Sequence, residues 1–228
     1  MPPSEKIIQL RQLLSERFPG KRFSTGAAEK ANPVWPTGIA HLDTLLQGGL
    51  PKSGIIEVVS ERKNSGSALL ISALLRKAAG ENQIITLIDG LDSFDPSTFE
   101  KEMLSRLLWV RCRNAGEAMK AVDLILRDRN LPLVLLDLAL NSAKELRKIP
   151  ATTWYRLQRI TELSSTIFVV VTPQPIVGCA EVRLQLQSRF TLEDLDLEQT
   201  QLPEKLKAEV AQFRLHIVAA SDEKVEAG

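Results

Sequence analysis

The residues with the clearest chemical potential lie between positions 54 and 70. Gly54-Ile55-Ile56-Glu57-Val58-Val59 reads as a strand, and the stretch from Gly66, with Leu69, Leu70, Ala73 and Leu74 at helical spacing, reads as a helix. Between them lies Ser60-Glu61-Arg62-Lys63-Asn64-Ser65-Gly66. Strand, loop and helix in this order frame a phosphate-binding loop, G-x-x-x-x-G-K-[ST]. In that motif backbone N–H groups cradle phosphates, the Lys neutralises them and the Ser/Thr hydroxyl holds Mg²⁺. Here Ser67 stands at the Lys position and Ala68 at the hydroxyl position, and the loop opens on Ser60 instead of Gly and runs one residue long. The frame is present without its grip, so Ser60, Lys63, Asn64, Ser65, Gly66 and Ser67 form a vestigial nucleotide-binding set. Gly66 and Ser67 can still offer N–H groups to an anion, because the helix dipole favours negative charge there. Lys63 can fold back to replace the missing Lys. The plainer reading is a solvated loop that joins strand to helix.

A second set of candidates is acidic. Asp137 closes the apolar run Leu133-Val134-Leu135-Leu136, and Asp89 and Asp92 flank Gly90 after Ile84-Ile85-Thr86-Leu87-Ile88. If these runs are parallel strands, Asp89 and Asp137 emerge at one edge of the sheet, beside the helix that starts at Gly66. Asp137 would then lie near any bound Mg²⁺; its plainer role is to cap the following turn. No His accompanies the acids, so no metal site is assigned. His41 and His216 have no triad partner, and Cys112 and Cys179 are not at metal-ligand spacing. Both thiols are expected to be buried, in a protein of a reducing compartment. No catalytic residue is assigned.

These groups must be positioned by alternating elements. Strands are expected at 55–59, 84–88, 107–111, 133–138 and 167–171, as short continuous apolar runs of the kind buried on both faces of a parallel sheet. Helices are expected at 66–79, 97–105, 115–128 and 152–164, with a short one around Ile39, Leu42 and Leu45 closed by Gly48-Gly49. The alternation predicts a doubly wound α/β fold whose sheet is mainly parallel, with 55–59, 84–88 and 133–138 as neighbours in its interior. Residues 182–190 and 211–218 alternate apolar and polar, the second with Phe213 on its apolar side, and are expected as half-exposed antiparallel strands at one side. An amphipathic helix (Ile7, Leu10, Leu13, Leu14) occupies 1–20, a polar linker 21–34, the core 35–220 and a disordered tail 221–228. Trp35 is the best exposed aromatic candidate.

A net charge of +1 excludes binding to nucleic acid through bulk charge alone, and a 44% hydrophobic content suffices for a normal core. No run reaches the ~18 apolar residues of a membrane span, so a cytoplasmic protein is expected.

Three motifs in order resemble the RecA-like ATPases: Thr37-Gly38-Ile39-Ala40-His41-Leu42-Asp43 with Gly48-Gly49-Leu50-Pro51 before the strand at 55–59, Asp89 to Pro96 after the second strand, and the apolar strand ending in Asp137. The stretch 106–139 is most similar to the ImuA type, accessories of induced mutagenesis. The resemblance implies a RecA-like sheet and a role in error-prone translesion synthesis beside an ImuB-like polymerase-related protein or RecA. It also implies where this chain departs. The glutamate that activates water in the family corresponds to Leu91. Thr172-Pro173-Gln174-Pro175 and a short connection stand where the family has a mobile DNA-binding loop. ATP hydrolysis is therefore not expected, and ATP with Mg²⁺ enters only under an alternative, a weak DNA-dependent ATPase that uses Lys63. A further alternative is a SulA-like division inhibitor. Under the leading reading DNA binding is weak, no membrane is involved, and the contact surfaces are Ile7, Leu10 and Leu14 on the first helix and Arg183 and Arg214 on the C-terminal strands.

Overall fold

The computed structural model describes residues 34–62, 65–164, 166–191, 193–197 and 201–214. The expected first helix, and with it Ile7, Leu10 and Leu14, lies outside the described residues, as do Lys63, Asn64 and the tail.

The described chain runs β1 (Val34–Trp35), α1 (Ala40–Leu45), β2 (Leu50–Pro51), β3 (Ile55–Val59), α2 (Ser67–Gly80), β4 (Ile85–Asp89), α3 (Lys101–Leu104), β5 (Leu107–Arg111), α4 (Ala115–Asp128), β6 (Leu133–Asp137), α5 (Ala143–Leu146), α6 (Ala151–Glu162), β7 (Ile167–Thr172), β8 (Val182–Leu186) and β9 (Ala208–Phe213). β1 and β2 pair with each other. The other seven strands form one sheet in the order β5-β4-β6-β7-β3-β8-β9. Every pair is parallel except β8·β9.

The apolar runs do what their composition demands. β3, β4 and β7 are buried at every position. Alternate side chains feed two cores. Ile56, Val58, Leu87, Leu135 and Val169 pack with α1 and α2 on one face. Ile55, Ile88, Val134, Phe168 and Val170 pack with α4 and α6 on the other. α4 begins where a cap permits it: the Asn114 side chain accepts from Glu117 N (2.9 Å), satisfying one of the free N–H groups of the first turn. In α1, Asp43 reaches back to accept from Thr37 N (2.7 Å) and Thr37 Oγ1 (2.8 Å), which fixes the chain's entry into the core.

Several expectations are corrected. β3 does not adjoin β4 or β6; it lies between β7 and β8. An apolar run reports burial on two faces and not which strand is its neighbour. β8 is parallel to β3 and antiparallel only to β9. The helix expected at 97–105 is broken. Residues 96–98 form a 3₁₀ turn capped by Asp95, Phe99 and Glu100 are extended, and α3 begins at Lys101. The break lets Phe99 join Phe94 at 5.2 Å between ring centroids, with Phe94 edge-on to Trp109 at 5.4 Å. Trp35 is not an exposed contact. It is 4% exposed and its Nε1 donates to Glu81 Oε2 at 2.7 Å. Phe213 faces outward, because Gln212 turns inward to bond Arg183 and Ala180. Cys112 and Cys179 are both buried and free, and burial pushes both thiols up in pKa.

Candidate functional site

Ser60, Ser65, Gly66 and Ser67 lie between β3 and the start of α2 at the C-terminal edge of the sheet, and Asp137 ends β6 at the same edge. The loop begins where β3 ends. Ser60 N donates to Thr172 O of β7 (2.8 Å), so its first residue is tied to the neighbouring strand. Ser60 and Ser65 are 6% and 2% exposed, and their hydroxyls hydrogen-bond each other across the loop. The loop also folds on its own backbone, Ser65 N donating to Arg62 O at 3.2 Å. Gly66 has φ +104°, a left-handed conformation that glycine adopts without a steric cost. A Cβ on Gly66 would run into Leu206 Cδ1 and lie 3.3 Å from Ser188 Oγ and 3.6 Å from Phe190 Cε2. The first turn of the helix is thus covered on that side by the β8–β9 connection. Ser67 is half-buried and Ala68 exposed, neither offering a charge.

Asp89 and Asp137 stand opposite each other in the β4·β6 register and share the face covered by α2, as the alternation of Ile85, Leu87, Leu133 and Leu135 requires. Both carboxylates are occupied locally. Asp89, 1% exposed, accepts from Leu91 N (3.3 Å), Ser93 Oγ (3.3 Å) and Phe94 N (2.8 Å). Asp137 accepts from Ala139 N at 3.0 Å. Burial pushes the Asp137 carboxyl up to about 6; the Ala139 N–H works against the shift and the charge of Asp89 adds to it. Gly90 separates the two turns because its N–H donates to Asp137 O (2.9 Å) and a Cβ would lie 2.7 Å from that same oxygen. Among the described residues no group of three or more His, Cys, Asp or Glu could hold a metal ion. Leu91 is 39% exposed and carries no proton-accepting group.

Arg183 does not present its guanidinium to solvent. Nε donates to Glu57 Oε2 (2.6 Å), Nη1 to Gln212 Oε1 (2.9 Å) and Nη2 to Val177 O (2.8 Å). The β8–β9 register slips by one residue at this point, so that Arg183 faces Gln212 while Leu184 faces Val210. Arg214 is exposed and donates from Nη2 to Gly178 O at 2.7 Å. The partner of Arg183 is the residue that sequence reasoning passed over. Glu57 is 0% exposed in the middle of β3, and its Oε1 accepts from Thr172 Oγ1 (3.2 Å), Ile176 N (2.7 Å) and Val177 N (3.0 Å). Its signal was available: a carboxylate inside a run buried on both faces must have a cation or several donors.

No family model matches the chain. It is similar to Protein RecA of Gloeothece citriformis (strain PCC 7424), with 27% identity over 145 residues, 60% of this chain and 39% of that protein. The fold is RecA-like. The chain spans about two fifths of that relative's length, so a RecA protein's whole activity is not carried over with the fold.

Two outcomes are expected. Glu57→Ala leaves Arg183 buried without its partner and should cost about 3–5 kcal/mol in urea denaturation; a loss under ~1 kcal/mol would remove this pair from the centre of the fold. Asp137→Asn tests the raised carboxyl. The folded state binds this proton more tightly than the unfolded chain, so its contribution is present below the ordinary carboxyl value of 3.8 and is lost as pH rises through about 6. The variant should therefore exceed the parent in stability at pH 8, by about 1–3 kcal/mol, and match it at pH 3.5. Equal stability at pH 8 would refute the shift.

Proposed function

We propose that this RecA-like chain is a binding module without phosphoryl-transfer chemistry, an accessory of the ImuA type that acts through protein contacts in translesion synthesis during the bacterial DNA-damage response. The observation that carries this reading is the loop at 60–67. Its two buried serine hydroxyls satisfy each other, and Ser67 and Ala68 occupy the positions where a Lys and a Mg²⁺-binding hydroxyl are required. Phosphoryl transfer is almost entirely positioning and charge stabilisation, and such a loop supplies little of either. Asp89 and Asp137, used by their own turns, support the same reading.

The segment after β7 adds a second support. In recombinases a mobile DNA-binding loop follows this strand. Here the Glu57 carboxylate holds Ile176 N and Val177 N, and Arg183 holds Val177 O. A connection fixed at three backbone atoms is poorly suited to close on DNA, so DNA binding is weak in this proposal. The partner is an ImuB-like polymerase-related protein or RecA itself, met in the cytoplasm. Among the described residues no helix is long and apolar enough to cross a membrane. The contact surfaces are the Ile7/Leu10/Leu14 helix and the strand face near Arg214. The similarity to a RecA protein favours one rival, a weak DNA-dependent ATPase with Lys63 as the phosphate ligand.

Purified protein is expected to release no phosphate from Mg-ATP above background, with or without single-stranded DNA, since losing even one stabilising contact costs about 10²–10³ in rate. Release that disappears in Lys63→Ala would install the rival. Leu10→Glu is expected to abolish capture of the ImuB-like partner or self-association while the melting temperature holds, because a buried anchor in a helix-in-groove contact is worth ~2 kcal/mol or more. A fall in melting temperature of the isolated monomer would assign this helix to the chain's own core.

A further inference from the structure

The start of α2 is closed by the chain itself. β8 and β9 remain zipped beyond their last paired residues: Gln187 N donates to Lys207 O (2.8 Å), and Ser188 Oγ accepts from Lys207 N (2.7 Å). This double hold sets the position of Leu206, the residue before Lys207. Leu206 N donates to Pro203 O (3.1 Å), closing a short 3₁₀ turn, and its side chain is 1% exposed in the core beneath α2. Its Cδ1 occupies the space a Cβ on Gly66 would need, with Ser188 Oγ at the rim of the same space. The polar ties at this connection, His41 to Glu204 at 3.6 Å and Lys205 to Asp194 at 3.4 Å, each have at least one exposed partner and contribute little. An apolar contact and a hydroxyl clip therefore hold the connection down.

We infer that Leu206 and Ser188 form an internal clasp on one side of the first turn of α2, which locks residues 202–207 against Gly66 in a single state. The inference rests on the reading of a chain without phosphate chemistry and extends it. In a nucleotide enzyme this turn must be reachable, and what lies over it can respond to the ligand. Here the chain's own leucine supplies the contact on that side, so this side of the turn has a geometry that does not wait for a ligand.

The test is coupling, measured on the full chain. Gly66→Ala should lower the melting temperature, since its methyl meets Leu206. Adding Leu206→Ala, which makes room for that methyl, should cost less than Leu206→Ala costs alone. If Gly66→Ala does not fold by itself, folding of the double variant is the same result. Ser188→Ala and Leu206→Ala should each speed amide exchange at residues 65–70 by about tenfold or more while β4 and β6 are unchanged. Additive melting losses with unchanged exchange at 65–70 would overturn the clasp. Mg-ATP at millimolar concentration serves as the control on the reading beneath it. Protection of residues 65–70 by Mg-ATP in the parent protein would break the functional proposal, whereas the clasp stands or falls on the coupling alone.

Discussion

The fold is organised around one carboxylate. Glu57 sits at the centre of β3 with no exposure to solvent, where an unpaired charge would cost several kcal/mol. It must therefore gather donors, and the donors come from three separate places: Thr172 at the end of β7, the backbone at 176–177 and Arg183 in β8. The strands on either side of β3 are those that supply these groups. Satisfying the pair also enlists Gln212 of β9, whose amide bridges Arg183 and the Ala180 carbonyl and which the slip in register places opposite Arg183. The order of the last four strands, the bulge between the last two and the rigid course of the β7–β8 connection are thus consequences of a single buried charge. Such a pair adds little net stability compared with well-packed apolar residues, but removing either half is costly.

What could be read from the sequence follows from the same physics. Continuous apolar runs disclosed β3, β4, β6 and β7 to within a residue, because burial on both faces leaves no room for alternation. α4 was legible from end to end, because its apolar stripe is regular. The order of strands was not legible, since nothing in an apolar run names its neighbour. The broken helix at 96–104 was hidden because Phe99 leaves the helical path to meet Phe94, which in turn packs edge-on to Trp109 of the distant β5. At the site, the sequence disclosed what is missing, a Lys and a hydroxyl, and placed Asp89 and Asp137 at one edge. It could not disclose what replaces the missing groups. The closure by Ser60, Ser65, Ser188 and Leu206 joins residues more than a hundred positions apart, and Arg183 looked like a surface arginine because its partner was read as part of a hydrophobic strand.

These replacements share a logic. Several polar groups at this edge of the sheet are spent on structure. The hydroxyls of Ser60 and Ser65 bond each other, Asp89 knits a turn with three donors, and Leu206 lies against Gly66. The segment after β7 is pinned instead of free. A catalytic site keeps polar groups poised and partly unsatisfied, which lowers stability. This edge of the sheet is arranged the opposite way, with its polar groups largely satisfied within the chain. Asp137 is an exception, a largely buried carboxyl with one backbone donor and a neighbouring like charge. Its placement carries an electrostatic cost in the folded state, and the fold keeps it where a strand ends and a turn begins.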